Sequence, residues 1–192
     1  MLRFAVFALV LAGLAGCSRQ SAVTPSMEDV YAEGAPTQES WDVRYAVFES
    51  PLGQEDSRPR MELHAAHMAA YEQGDSAFTV LRGLPEADPR VTAYLFDPQG
   101  DTSAVVRADR IIYHDRDRRF EARGDVVVET TADKRLESEV LFWREDERKV
   151  RTPGFTRLVT PTESIQGYGF VADENLDFYT LARVTGTGRV EE

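Results

Sequence analysis

Two histidines three residues apart are the first candidates for metal chemistry in this sequence. His64 and His67 form a His-x-x-His pair, and a neutral imidazole is a common ligand of zinc and related metals. On a β-strand, however, side chains three positions apart point to opposite faces, so one ion does not contact both rings. Nothing resembling a third ligand accompanies them. We therefore interpret the pair as structural and expect no metal site here.

An acidic stretch near the C-terminus begins like a calcium-binding loop. Asp173, Asn175 and Asp177 place oxygen ligands at every second residue. A loop of the EF-hand type requires Gly at its sixth position and Glu at its twelfth, where this chain has Phe178 and Val184. The sequence therefore predicts an acidic turn and not a calcium site.

The chain shows no signature of catalysis. It contains no Gly-x-Ser-x-Gly elbow, no recognisable Ser/His/Asp signature and no phosphate-cradling glycine loop. A single Cys excludes a disulfide framework and a Cys-rich zinc site. The net charge of −11 argues against a nucleic-acid-binding protein, which needs a basic face. We expect a protein that is not an enzyme and that has no cofactor.

The first seventeen residues have the order of a secretory signal. Met1-Leu2-Arg3 gives a positive start, and residues 4–12 are an unbroken apolar run that is too short to span a bilayer. The junction Leu14-Ala15-Gly16-Cys17 resembles the lipobox of bacterial lipoproteins, which implies cleavage before Cys17 and a diacylglycerol on its thiol. The alternative is an ordinary signal peptide with an incidental Cys, which would leave a lone thiol in an oxidising compartment.

The chain divides into four parts by composition. Residues 1–16 are predicted to be the lipoprotein signal peptide, and residues 17–40, rich in Ser, Thr, Pro and Gly, to be the lipidated Cys and a flexible tether. The folded domain is expected over residues 41–184, followed by a tail over residues 185–192. An apolar fraction of 42% is too high for a disordered chain and is typical of one globular domain.

Short runs of alternating apolar and polar residues dominate the predicted domain. Trp41, Val43, Tyr45 and Val47 alternate with polar or small residues, and later runs are separated by Gly, Pro, Asp and Asn. This pattern indicates an antiparallel all-β fold. Residues 63–71 also fit a helical face, but their spacing from a later repeat favours a strand.

An internal repeat is the strongest pattern in the chain. Residues 108–124 match residues 138–154, and a third, weaker copy covers residues 167–179. Each copy has an apolar strand that ends in an aromatic residue, followed by a charged turn. Hairpins that repeat in this way predict an elongated β-structure in which neighbouring units complete each apolar face. The edges of such a structure are templates for an added strand from a partner.

Four segments of the chain resemble a known family. They are residues 108–113 (ADRIIY), 124–128 (GDVVV), 136–143 (LESEVLFW) and 166–170 (QGYGF). The first three resemble the repeat of the OstA-like superfamily, and the fourth resembles the end of the LptC family, the periplasmic component of the lipopolysaccharide export ABC transporter. The resemblance covers residues 41–184. It implies an elongated, twisted antiparallel β-jellyroll of two sheets, whose apolar interior takes the acyl chains of lipid A.

The resemblance also implies partners and a location. LptC proteins bind lipopolysaccharide at the periplasmic face of the inner membrane, contact the membrane subunits of the transporter through the N-terminal edge, and contact an LptA-like periplasmic bridge protein through the C-terminal edge. Two residues depart from the family pattern. Better-known members keep an uncleaved N-terminal helix where this chain has Cys17, and Ser18 after that Cys favours the outer membrane in enterobacterial sorting.

Strand periodicity then selects the residues that would line the groove and the edges. Residues on one face of the repeat strands are expected to contact lipid A: Val126, Val128, Leu141, Trp143, Val150, Phe155, Leu158, Tyr168 and Phe170. The partner edge strands are expected to contain Val43, Tyr45, Val47, Phe178, Tyr179 and Leu181. The alternative is a structural or outer-membrane-assembly lipoprotein, in which these side chains close on each other as a packed core without a ligand.

Overall fold

The computed structural model describes residues 35–49, 57–74, 76–86 and 89–189. These residues form eleven antiparallel strands and no helix, which confirms the predicted all-β, jellyroll-like fold, and no helix among them could span a membrane. The strands are β1 Gln38–Glu49, β2 Arg58–Gln73, β3 Ser76–Arg82, β4 Val91–Phe96, β5 Thr102–Ala108, β6 Arg110–His114, β7 Arg119–Thr130, β8 Arg135–Arg144, β9 Lys149–Val159, β10 Glu163–Asp173 and β11 Tyr179–Arg189.

The strand order is an antiparallel meander in which two positions are each filled by a pair of short strands instead of one long strand. β3 and β4 run in the same direction beside successive stretches of β2, and β5 and β6 are related to β7 in the same way. β3 also pairs with β6, and β4 with β5. All eleven strands therefore belong to one hydrogen-bonded sheet, and the two sheets of the prediction are two parts of it.

A line of irregularities crosses the middle of this sheet. The pairings β7–β8, β8–β9 and β9–β10 each contain a register shift there, and the breaks between β3 and β4 and between β5 and β6 lie beside those shifts. Because β-bulges bend the strands that contain them, the sheet folds along this line, which we call the crease. Each long strand thus contributes one half to each of two layers.

Gly124 is the clearest example of a residue that the crease requires. Its φ is +77°, and a Cβ at this position would lie 2.2 Å from the Oδ2 atom of Asp109. The amide of Asp109 donates to the carbonyl oxygens of Arg123 and Gly124, at 3.1 Å each, and Arg90 forms an ion pair with the Asp109 carboxylate at 3.6 Å. Only glycine combines this backbone conformation with so close an approach.

The hydrophobic core lies between the two layers. The first layer contains β3, β6 and the adjoining halves of the long strands, and the second layer contains β4, β5 and the other halves. Contacts join the layers: the Arg60 guanidinium lies 5.9 Å from the centroid of the Trp143 ring, and the rings of Tyr45 and Tyr113 are 6.3 Å apart. Each fully buried Leu or Phe side chain in this core stabilises the fold by roughly 1.5–3 kcal/mol.

The limits of the domain differ slightly from the prediction. β1 begins at Gln38, three residues before the predicted start at Trp41. β11 continues to Arg189, so most of the predicted tail over residues 185–192 is part of a strand. The segment that also fitted a helix lies within β2, where it is extended. Pairing with β1 on one side and with β3 and β4 on the other explains why the alanines of this segment do not form a helix.

Candidate functional site

The apolar interior between the layers is the candidate site to which most of the predicted groove residues contribute. Ala93, Val106 and Val128 line it from the second layer, and Phe120 and Leu141 from the first. They enclose a cavity of about 40 Å³. An apolar cavity of ~150 Å³ is known to admit benzene. In this conformation the cavity is therefore too small for an acyl chain, which enters only if the layers separate.

Most of the predicted groove residues point into this interior. Seven of them are buried: Val126, Val128, Leu141, Trp143, Val150, Leu158 and Phe170. Four of these line the cavity itself: Val128, Leu141, Trp143 and Val150. Alternation within the regular stretches of the strands, such as Val126 and Val128 on β7 and Leu141 and Trp143 on β8, explains this result.

The prediction was wrong for two groove residues. Phe155 and Tyr168 are 44% and 37% exposed, and their rings contact each other on the outer face at a centroid distance of 5.5 Å. Tyr168 does not share a face with Phe170, because a register shift lies between them and Gly169 has a φ of +68°. Phe155 points outward because it is an odd number of residues from both Val150 and Leu158.

The side of the interior opposite the crease is closed by side chains, and we call it the mouth. Here Arg60, at the start of β2, forms an ion pair with Glu174 of the turn between β10 and β11. Lys134, in the turn between β7 and β8, donates to the Asp177 carboxylate at 2.5 Å and to the carbonyl oxygens of Asn175 and Leu176. These contacts join the end of the second layer to the end of the first.

Three tyrosines add contacts between the layers. The hydroxyl of Tyr179, at the start of β11, donates to the Glu163 carboxylate at the start of β10, and burial together with this hydrogen bond raises the pKa of Tyr179 to about 12. Burial, reinforced by Tyr45 and Asp115, raises the pKa of Tyr113 to about 12. Burial also raises the pKa of Tyr45. The Tyr179 hydroxyl therefore links the two layers as a neutral phenol.

Within the described residues, β1 and β11 are the edges of the sheet. β1 pairs only with β2, and β11 only with β10. Five of the predicted edge residues lie on these two strands with partly buried side chains that pack against the core: Val43, Tyr45, Val47, Tyr179 and Leu181. Phe178 does not, because it lies in the turn before β11 and is 79% exposed. Residues 182–185 are exposed whichever face they point to.

The other candidates for chemistry have ordinary partners. His64 interacts with Glu62 on its own strand at 2.5 Å, and His67 with Glu39 on β1 at 3.3 Å. In the described part of the chain, no three His, Cys, Asp or Glu side chains come together as a metal site. The Asp173 carboxylate accepts the amide of Asp177 at 2.8 Å, so it caps a turn. Cys17 and most of the predicted tether lie outside the described residues.

Sequence reasoning missed the residues of the mouth. Arg60 and Glu174 are separated by 114 positions, and Lys134 and Asp177 by 43. No local pattern relates residues at such separations. The sequence identified the acidic turn but not its role in closing the interior. Leu176, an apolar residue in an otherwise polar turn, was a signal that the turn faces a core.

No family model matches this chain, and no curated protein matches it.

Proposed function

We propose that this chain is a periplasmic lipopolysaccharide-binding relay of the LptC type. It takes lipid A from an inner-membrane ABC transporter and passes it to an LptA-like bridge protein, to which it is joined through edge strands. A lipidated Cys17 anchors it at the periplasmic face of the inner membrane, and it catalyses no reaction. The sequence resemblance motivates this proposal, and the structure supports it through the interior and the edges.

The observation that carries the proposal is the way in which the apolar interior is closed. Along the crease, the backbone connects the layers. Across the mouth, the described residues make side-chain contacts but no backbone–backbone hydrogen bond. Opening the mouth therefore breaks a few ion pairs and hydrogen bonds while every strand ladder stays intact. Acyl chains that enter would replace the contacts that the two apolar faces make with each other.

A second candidate function is a structural or outer-membrane-assembly lipoprotein whose core holds no ligand. The cavity volume of about 40 Å³ favours it, because the side chains of the two layers already fill most of the space between them. The two functions differ in whether lipid ever separates the layers.

Native mass spectrometry of the purified full chain, after incubation with lipid A, tests the proposal. Wild-type protein is expected to carry one bound lipid A. Ala122→Leu adds apolar volume where Ala122 lines the cavity, and we expect it to reduce the bound fraction. Ala46→Leu makes the same change at an exposed position of β1 and is expected to bind as wild type does.

Two results would argue against the relay and for the ligand-free core. One is the absence of a lipid adduct on folded wild-type protein. The other is equal lipid binding by Ala122→Leu and wild type, with melting temperatures showing that both are folded, because the lipid would then lie outside the interior.

A further inference from the structure

Two cationic side chains lie at the mouth, where the apolar interior meets solvent. The side chains of Arg60 and Lys134 are only 9% and 13% exposed, and both come from the second layer. Arg60 lies over the ring of Trp143, which lines the cavity, and also donates to the carbonyl oxygen of Phe96 at 3.3 Å. In a chain with a net charge of −11, these two largely buried cations lie beside an apolar space, each paired with one carboxylate.

The turn between β10 and β11 occupies the mouth and, like an amphiphile, combines an apolar group with negative charges. Its Leu176 side chain is 1% exposed and belongs to the hydrophobic core. On either side of Leu176, the carboxylates of Glu174 and Asp177 pair with Arg60 and Lys134. The turn thus places an apolar group in the interior and two negative charges at its mouth.

We infer that Arg60 and Lys134 bind a phosphate monoester on the headgroup of the lipid, and that Glu174 and Asp177 take the place of that phosphate when no lipid is present. This inference rests on the proposed function, since the acyl chains would lie in the interior. A guanidinium presents paired N–H donors that match phosphate oxygens, and an ammonium adds a point charge. A phosphate monoester carries more charge than either carboxylate and so competes with them for both cations.

The position of the cations supports a lipid over a free anion. Arg60 and Lys134 are largely covered by the turn, so an anion reaches them when the turn moves. Movement of the turn withdraws Leu176 from the core, and exposing this buried leucine to water is unfavourable. A ligand with an acyl chain refills that space, whereas inorganic phosphate does not.

Binding of two lipids with identical acyl chains to the full chain tests the inference. Phosphatidic acid carries a phosphate monoester, and diacylglycerol carries none. With both lipids in neutral detergent micelles, we expect wild-type protein to bind phosphatidic acid at least tenfold more tightly, which corresponds to about 1.4 kcal/mol. Inorganic phosphate at the same concentration is expected not to compete.

Four variants separate the inference from a general effect of charge. Lys134→Gln and Arg60→Gln are each expected to reduce the preference for phosphatidic acid over diacylglycerol about tenfold, because loss of a mouth ion pair affects the entry of both lipids alike but removes a phosphate partner only from phosphatidic acid. Arg157→Gln makes the same change of charge at a position 52% exposed on the outer face, and its preference is expected to equal that of wild type. Glu174→Gln removes a competing carboxylate and is expected to strengthen phosphatidic acid binding.

The outcomes distinguish the inference from the proposed function. If both lipids bind equally well to wild type, or if Lys134→Gln keeps the full preference, the phosphate site is refuted while the interior remains a lipid site. If neither lipid binds, the proposed function fails with it. Competition by inorganic phosphate would identify a free-anion site and overturn the assignment to a lipid. The result for Arg60→Gln counts only if its melting temperature shows that the variant is folded. If it is not folded, the test depends on Lys134→Gln.

Discussion

Phe170 has no exposed surface and packs among the residues of the core, with its ring 5.9 Å from that of Tyr179. An unpaired charge in such a place costs roughly 3–5 kcal/mol, which is a large part of the stability of a domain. Phe170→Arg is therefore expected to lower the melting temperature sharply. Phe155→Arg makes the same change on the outer face and is expected to change stability by less than about 0.5 kcal/mol.

Thermal unfolding of these two variants measures which way the strands face. Equal melting temperatures for the two would contradict the assignment of Phe170 to the closed interior and of Phe155 to the outer surface. A tolerated arginine at Phe170 would indicate instead that this part of the interior is open to water.

The raised pKa of Tyr113 predicts how the free energy of unfolding depends on pH. Its pKa is raised from 10.0 in the unfolded chain to about 12 in the fold. Below pH 10 both states are protonated, and the stabilisation is complete. As the pH rises from 10 to about 12, the unfolded state loses its proton first, so stability falls. Tyr113→Phe is expected to lose less stability than wild type over this range.

Melting temperatures measured below pH 10 and near pH 12 provide the check. The comparison of the two proteins below pH 10, where Tyr113 is protonated in both states, is the control. If Tyr113→Phe loses as much stability as wild type, Tyr113 does not contribute to alkaline unfolding.

At the scale of elements, β11 presents a free edge whose hydrogen-bonding groups can be assigned. The amide of Asp173 donates to the carbonyl oxygen of Phe178, so these two residues are a hydrogen-bonded pair. The pairs of an antiparallel ladder alternate, and Leu181, which lies opposite Phe170, therefore directs its N–H away from β10. Leu181→Pro removes this outward donor and leaves the ladder with β10 intact.

We expect Leu181→Pro to abolish co-purification with the LptA-like bridge protein while the domain stays folded. Leu181→Ala removes a similar amount of packing but keeps the N–H, so it is expected to retain the partner. Retained binding by a folded Leu181→Pro variant would place the contact elsewhere, and lost binding by Leu181→Ala would attribute it to the side chain.

The direction of a side chain could be predicted where its strand was regular and not where the strand contained a bulge. Val126 and Val128, and likewise Leu141 and Trp143, were assigned to the interior by alternation, and the structure confirms this. Alternation failed at Tyr168 because a bulge changes the phase of the strand at Gly169. A bulge depends on the register of two strands, so the sequence of one strand does not specify it.

At the scale of the whole molecule, the same limit applies to long-range contacts. Local patterns were sufficient to predict the all-β class, and the spacing from a later repeat was needed to predict the strand nature of residues 63–71. The meander folds into two layers because irregularities in several strands coincide at the crease, and the mouth joins turns that are distant in sequence. Such coincidences belong to the tertiary structure, and single-strand patterns carry no information about them.

The membrane location that we propose depends on lipidation of Cys17. If the Leu-Ala-Gly-Cys junction is cleaved and the thiol is acylated, more than one acyl chain holds the protein on the membrane, as stable anchoring requires. Cys17→Ser is therefore expected to move the protein from membrane pellets to the supernatant, with Ser18→Ala as the control that stays in the pellet. A Cys17→Ser protein that sediments with membranes as wild type does would contradict the lipid anchor.

Photo-crosslinking in growing cells tests the central claim, that lipopolysaccharide binds between the layers. Val127 and Val128 are neighbours on β7, and Val128 lines the interior while Val127 faces the other way. A photoreactive residue at Val128 is expected to crosslink lipopolysaccharide, and the same residue at Val127 is not. Equal crosslinking at both positions, or none at Val128 in a folded protein, would contradict binding in the interior.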